Sequence, residues 1–171
     1  MTTASPRALY QKKINSGELQ PDKGQADAVL HLENLFEALQ PSQHGRRFEP
    51  IRRLFQFGKH AKGVVKGLYL YGGVGRGKTM LMDMFAKAAG PLHSQRFHFH
   101  DFMVKAQNEV QAARQAEHAD PISSAADKLM AGGQIICFDE MEVRDIADAM
   151  IIRRLFLAMW ERGMVLVTTS N

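Results

Sequence analysis

Two kinds of hydrophobic pattern alternate along the chain. Short, almost wholly apolar runs recur at Gly67-Leu68-Tyr69-Leu70-Tyr71, at Ile135-Ile136-Cys137-Phe138 and at residues 164–168. Such runs are too short for helices and are flanked by glycine or charge, so they predict buried strands. Arg96-Phe97-His98-Phe99-His100 alternates apolar and polar positions and predicts a further strand over 96–100. Between these runs, apolar residues return every three or four positions. They do so at Val29, Leu32, Leu35, Phe36 and Leu39, then at Leu81, Met84, Phe85 and Ala88. Further stripes are Phe102, Met103, Ala106, Val110 and Ala113; Ala125, Leu129 and Met130; and Met150, Ile151, Leu155, Phe156 and Met159. Each predicts a helix buried on one face. A short helix is also expected around Leu9 to Ile14, and another around Ile51 to Phe57.

The punctuation agrees with the periodicity. Pro21-Asp22 opens the first long helix and Gln40-Pro41 ends it; Gly90-Pro91 ends the helix over residues 80–89. Asp101 is the expected cap of a helix reaching about Glu117, and Asp120-Pro121 reads as an N-cap and first helical residue, with Gly132-Gly133 closing that helix. Asp145 or Asp148 begins the last helix, which Gly163 ends. Apolar strands separated by helices predict an α/β fold, a parallel sheet with helices on both faces.

Bulk composition narrows the class. The 171 residues suffice for one domain with a core, and 45% hydrophobic with 23% charged residues is ordinary for a globular protein. The formal charge of +4 is compatible with nucleotides or nucleic acid without selecting either. Cys137 is the sole cysteine and lies inside an apolar run, so it reads as a core residue, and no intrachain disulfide is possible. The apolar runs are far shorter than a membrane span, and residues 1–10 hold no apolar leader core, which leads to the expectation of a cytoplasmic protein.

Between residues 41 and 67, Arg46, Arg47, Arg52, Arg53, Lys59, Lys62 and Lys66 face only Glu49, with Phe48, Phe55 and Phe57 interleaved. This is either a patch for nucleic acid or an acidic partner, or a solvated basic face leading into the first strand. The expected organisation is a helical extension and basic connector over 1–66, followed by a nucleotide-binding core over 67–171.

The chemistry enters at Gly72-Gly73-Val74-Gly75-Arg76-Gly77-Lys78-Thr79, which fits the phosphate-loop pattern G-x-x-x-x-G-K-[ST] between a strand and a helix. Glycines let successive backbone N–H groups turn toward phosphate oxygens. Lys78 supplies a cation for the β- and γ-phosphates, the Thr79 hydroxyl can ligate Mg²⁺, and the helix N-terminus favours negative charge. Ile135-Ile136-Cys137-Phe138-Asp139-Glu140 supplies the complement. Asp139 can hold Mg²⁺ directly or through water, and Glu140 can polarise a water for attack on the γ-phosphate. Asn171, after Thr169-Ser170, can orient that water or touch the γ-phosphate. His98 and His100 are two imidazoles on one expected strand face, too few for a zinc site. A GTPase is disfavoured, because Glu142 stands where a D-x-x-G switch requires glycine and no N-K-x-D motif occurs.

These blocks together resemble the AFG-like AAA+ ATPases, closest to their bacterial cell-division members. The resemblance is carried by residues 67–79, by Phe97-His98-Phe99-His100-Asp101-Phe102-Met103, by the long block from Cys137 through Asp148 to Met150, by Leu155-Phe156, and by Val167-Thr168-Thr169-Ser170-Asn171. It implies an AAA+ P-loop NTPase core with strand order 5-1-4-3-2, ATP and Mg²⁺ as cofactors, and ATP hydrolysis. Lys78 and Thr79 would be the Walker A pair, Asp139 and Glu140 the Walker B pair, and Asn171 sensor 1. For the cell-division members it further implies a protein partner, the tubulin-like FtsZ, with homo-oligomerisation left open. Members continue through a fifth strand, an arginine finger, sensor 2 and a lid, none of which this sequence holds. Neither Arg153 nor Arg154 is assigned as a finger. Nucleotide binding without efficient hydrolysis is therefore one expectation. Others are a helicase-loader-like ATPase acting on nucleic acid and a non-hydrolysing scaffold.

Overall fold

The computed structural model describes residues 4–40, 67–90, 94–143 and 145–171. The basic stretch and the helix expected around Ile51 to Phe57 lie outside the described residues. In chain order the elements are α1 (Pro6–Asn15), α2 (Lys23–Leu39), β1 (Leu68–Tyr71), α3 (Lys78–Ala89), β2 (Ser94–His98), α4 (Phe99–Gln115), α5 (Pro121–Met130), β3 (Ile135–Asp139), α6 (Ile146–Glu161) and β4 (Val165–Ser170). All strand pairings are parallel and the sheet order is β1-β4-β3-β2, which matches the 1-4-3-2 portion of the expected 5-1-4-3-2.

Strand direction and helix placement follow from one rule. From β1 the chain jumps across the sheet to β2 through α3, then steps back through β3 to β4. Right-handed crossovers put helices of opposite stepping direction on opposite faces. Accordingly α1, α2 and α3 share one buried cluster with Leu70, Ile135, Cys137, Val165 and Val167. The other face packs α4, α5 and α6 against Ile136 and Phe138. β3 is thus apolar at every position of its run, yet its side chains alternate between the two cores. The two-residue period of a strand is obeyed even where the apolar run hides it.

Phe138 is the pivot of the second core. It is fully buried, 4.6 Å from the Phe102 ring, 5.5 Å from Phe99 and 5.8 Å from Phe156. Burying one such ring is worth about 1.5–3 kcal/mol, so the residue before Asp139 is firmly anchored.

Several boundaries differ from expectation. Ser5 caps α1 and Pro6 starts it, so this helix is longer than the Leu9–Ile14 stripe. The helix after β2 begins at Phe99 with His98 in the cap position, so Asp101 is not the cap but sits in the first turn, where its charge still suits the helix dipole. In consequence His100 is helical, and His98 and His100 do not share a strand face. Met150 was expected inward; it is 67% exposed, as is Ile146 at 82%, while Ile152, Leu155, Phe156 and Met159 form the buried stripe of α6. The helix presents one apolar face too wide to be covered. β4 runs to Ser170, two residues past the predicted apolar run, which brings Asn171 to its carboxyl end. Asp22 and Asp120 cap α2 and α5 through their side chains.

Candidate functional site

Strand parity assembles the site. Ile135 and Cys137 face the α3 side of the sheet, so Asp139, two residues on, faces it too. Arg96 is in register with Cys137, and Val167 with Cys137 on the other flank. Arg96 from β2 and Thr169 from β4 therefore point to the same side as Asp139. That side carries the first turn of α3, with Lys78 and Thr79. Carboxyl ends of parallel strands are where α/β sheets bind ligands.

The loop between β1 and α3 is shaped by Gly75 and Gly77, with φ of 77° and 81°. An L side chain is strained at such angles. At Gly77 a Cβ would also stand 3.0 Å from Gln25 Nε2. Gln25, in the first turn of α2, donates from Nε2 to the Arg76 carbonyl at 3.3 Å. Its Oε1 is buried without a hydrogen-bond donor. α2 thus touches the loop directly. At the loop's tip Val74 is 83% exposed.

Lys78 closes the loop from within. Its Nζ donates to Gly72 O at 2.7 Å, Gly73 O at 2.8 Å and Asn171 Oδ1 at 2.8 Å. An ammonium has three protons, and all three are engaged on acceptors that surround one point. Thr79 Oγ1 donates to Asp139 Oδ1 at 3.1 Å. Asp139 is 6% exposed and is held from two further directions. Thr169 Oγ1 donates to Oδ1 at 2.7 Å, and Arg96 Nη2 to Oδ2 at 3.0 Å. Arg96 Nε also pairs with Asp83 Oδ1 of α3 at 2.7 Å.

Glu140 is positioned by its backbone. Its N–H donates to Thr169 Oγ1 at 3.2 Å, and its φ of 53° is left-handed, uncommon for a residue with a Cβ. Met141 N donates to Thr169 O at 2.9 Å, which fastens the turn. A cavity of about 280 Å³ opens beside this turn, lined by His98, His100, Met103, Asp139 and Glu140 among others. Cys137 is buried behind the site, and burial pushes its thiol up to about 12.

Lys78 is therefore hydrogen-bonded to Asn171 and Thr79 to Asp139, with Glu140 attached to the second pair through Thr169. Arg96, Asp83, Thr169 and Gln25 were not singled out from the sequence. Parity did hold a signal for two of them: Thr169 continues the Val165-Val167 face, and Arg96 is opposite in phase to Phe97. Nothing local marks Gln25, whose contact is made across the fold.

The donor set suits a magnesium ion bound with a nucleotide. It offers one hydroxyl and one carboxylate, the sparse oxygen set that Mg²⁺ completes with phosphate and water. Among the described residues no three His, Cys, Asp or Glu side chains cluster as metal ligands.

A family model described as AFG1-like ATPase matches residues 4–171. The chain belongs to the AFG1-like ATPase family. It is 38% identical over 179 aligned residues to the cell division protein ZapE of Escherichia coli, covering 100% of this chain and 47% of ZapE. The chain thus spans about half the length of that curated relative. Among solved structures it is similar to AMPPCP-bound DnaA from Aquifex aeolicus, with a TM-score of 0.51 and 13% identity over 90% of this chain and 40% of that one. It is also similar to DnaI, with a TM-score of 0.53 and 17% identity over 91% of this chain and 71% of that one. At those identities the likeness concerns the fold, that of a P-loop AAA+ protein. No helix among the described residues is long and apolar enough to cross a membrane.

Proposed function

We propose that this chain is the Mg-ATP-binding and hydrolysing core of a ZapE-type AAA+ ATPase. The observation that carries the reading is the meeting of Lys78 with Asn171 and of Thr79 with Asp139, at 2.8 and 3.1 Å, across three separate strand ends. A phosphate loop alone would not require the other two strands.

In this reading the backbone N–H groups of residues 73–79 bind the β-phosphate, aided by the positive end of α3. Lys78 moves from the Gly72 and Gly73 carbonyls onto phosphate oxygens while keeping Asn171 in reach. Thr79 with its hydroxyl oxygen and Asp139 with its carboxylate would hold the metal, Asp139 directly or through water. Bound Mg²⁺ supplies charge neutralisation on the β- and γ-phosphates. Glu140 accepts a proton from the attacking water, and Asn171 orients that water. The unusual backbone of Glu140 suits a residue whose carboxylate must be aimed rather than buried. Within the extension expected over 1–66, α2 is assigned to the loop as its support through Gln25.

From the resemblance to ZapE, the work done by hydrolysis is assigned to a division-ring protein partner, FtsZ, in the cytoplasm. The test measures ATP and GTP binding and phosphate release from this chain and from a full-length relative. Lys78→Ala is expected to lose binding, whereas Glu140→Gln keeps binding and loses hydrolysis. Equal phosphate release by wild type and Lys78→Ala would sink the enzymatic reading. Polymerised FtsZ is expected to stimulate release more than single-stranded DNA. A dominant, salt-sensitive DNA effect would favour the loader reading instead.

A further inference from the structure

Asp22 and Gln25 stand three residues apart at the start of α2, the spacing of a capping box. Half of the box is made: Asp22 is the N-cap, and its Oδ1 accepts from Gln25 N at 2.9 Å. The other half would have the glutamine side chain turn back to the Asp22 N–H. Instead, Gln25 Nε2 crosses to the loop and donates to the Arg76 carbonyl at 3.3 Å, 51 residues away in sequence, and Oε1 is left buried without a donor. A buried unpaired acceptor is unfavourable for folding, and an apolar side chain of the same length would fill this place without it. The contact calls for an explanation beyond packing.

Peptide geometry supplies one. The Arg76–Gly77 bond is trans, so its carbonyl and its N–H point in opposite directions. Holding the carbonyl toward α2 turns the Gly77 N–H away from α2. Gly77 is left-handed, with φ 81° and ψ 14°, and leads directly into the first turn of α3. That succession of conformations draws the N–H groups of Gly77, Lys78 and Thr79 toward one concavity, an anion nest. The amide that Gln25 orients is the first donor of that nest. Little else holds its plane, because Arg76 is exposed and a glycine yields readily in φ. We propose that Gln25 is a positioning residue that fixes the Arg76–Gly77 peptide with the Gly77 N–H facing the β-phosphate, which makes α2 a determinant of nucleotide affinity. The inference rests on the nucleotide-site reading above and deepens it, since α2 then orients a phosphate donor as well as supporting the loop.

The experiment titrates a fluorescent ADP analogue with Mg²⁺ into the whole chain, as wild type, Gln25→Met and Gln25→Glu. Methionine keeps the length of the side chain without a donor; glutamate keeps its shape but, when ionised, only accepts. The Gln25 bond stands behind one charge-assisted hydrogen bond to phosphate, and losing most of that bond corresponds to roughly tenfold weaker binding in both variants. The melting temperature of nucleotide-free Gln25→Met should stay level or rise, because the unpaired Oε1 leaves with the amide. In ¹⁵N-labelled wild type the Gly77 amide proton should move downfield when the analogue binds, and this displacement should shrink in Gln25→Met. A mere packing contact predicts the reverse: a lower melting temperature, with affinity and the Gly77 displacement unchanged. That result overturns the proposal. If Gln25→Met does not fold by circular dichroism, the affinity and Gly77 displacement of Gln25→Glu decide alone. Wild type that binds the analogue no better than Lys78→Ala would overturn the nucleotide reading itself, and this inference with it.

Discussion

Thr168 and Thr169 are adjacent, both buried, and 4% and 2% exposed, yet their hydroxyls have opposite situations. Thr169 Oγ1 donates to Asp139 at 2.7 Å and accepts from Glu140 N at 3.2 Å. Thr168 Oγ1 has no hydrogen-bond partner. Valine replaces either residue with almost no change of shape. In Thr169→Val the bond to a charged acceptor is lost, worth about 1.5–3 kcal/mol, and the Glu140 N–H is left unpaired for roughly 1 kcal/mol more. Asp139 retains Thr79 and Arg96, which keeps the loss toward the middle of that range, about 3 kcal/mol. In a domain of this size each kcal/mol lowers the melting temperature by about 2–4 °C, so a fall of roughly 6–12 °C follows. Thr168→Val removes a buried hydroxyl that nothing satisfies and should be neutral or slightly stabilising. Thermal unfolding by circular dichroism, paired with urea titration to verify an unchanged m-value, reads both variants in one experiment. If Thr168→Val destabilises as much as Thr169→Val, the hydrogen-bond assignment at the strand end is wrong.

Other consequences are equally direct. Cys137 is held protonated by burial, with its pKa raised from 9.0 to about 12. The native state therefore binds the proton more tightly than the unfolded one, and this contribution is complete below pH 9 and lost as pH rises toward about 12, at up to about 1.4 kcal/mol per pH unit. Denaturation of wild type should steepen with pH above 9 relative to Cys137→Ala; parallel curves would refute it. Glu140→Asn should relieve part of the left-handed strain, about 1 kcal/mol, while phosphate release disappears; a lowered melting temperature would contradict the strain argument. Gly67→Ala would bring a Cβ to 2.1 Å from the Leu166 carbonyl oxygen, and should cost about 1–3 kcal/mol in urea titrations by prising β1 from β4. A neutral result there would mean that the β1–β4 approach is looser than drawn.

Much of the fold was legible because its strands are short apolar runs and its helices carry caps in the sequence. Asp120-Pro121 is the clear case: the predicted cap is made, to Ile122 N and Ser123 N. The failures have one cause each. Arg96 to His100 alternates like a strand, but the chain must turn back over the sheet after His98, and tertiary packing of Phe99 and Phe102 on Phe138 draws those residues into α4. Met150 fits a helical stripe, but the sheet covers only the neighbouring stripe through Ile152, Leu155 and Phe156. Periodicity identifies an apolar face; it does not state how much of that face a finite sheet can cover.

The site was legible by residue type but not by connection. A phosphate-loop pattern names Lys78 and Thr79, and an apolar run ending in two acids names Asp139 and Glu140. Nothing in either pattern says that the two meet. That depends on the parity of β3, since a slip of one residue would turn Asp139 onto the α4–α6 face and leave Thr79 without its acceptor. What fixes parity is the packing of Phe138 into one core and Cys137 into the other. The apolar run before Asp139 is therefore part of the site: its alternation decides which side of the sheet receives the carboxylate. Arg96 depends on the same register, because its pairing with Cys137 sets its side chain on the face where Asp139 and Asp83 stand. Altering that alternation, as in a Cys137/Phe138 exchange, should disturb Asp139 even though no polar residue is touched. Thermal unfolding and analogue binding should then fall together.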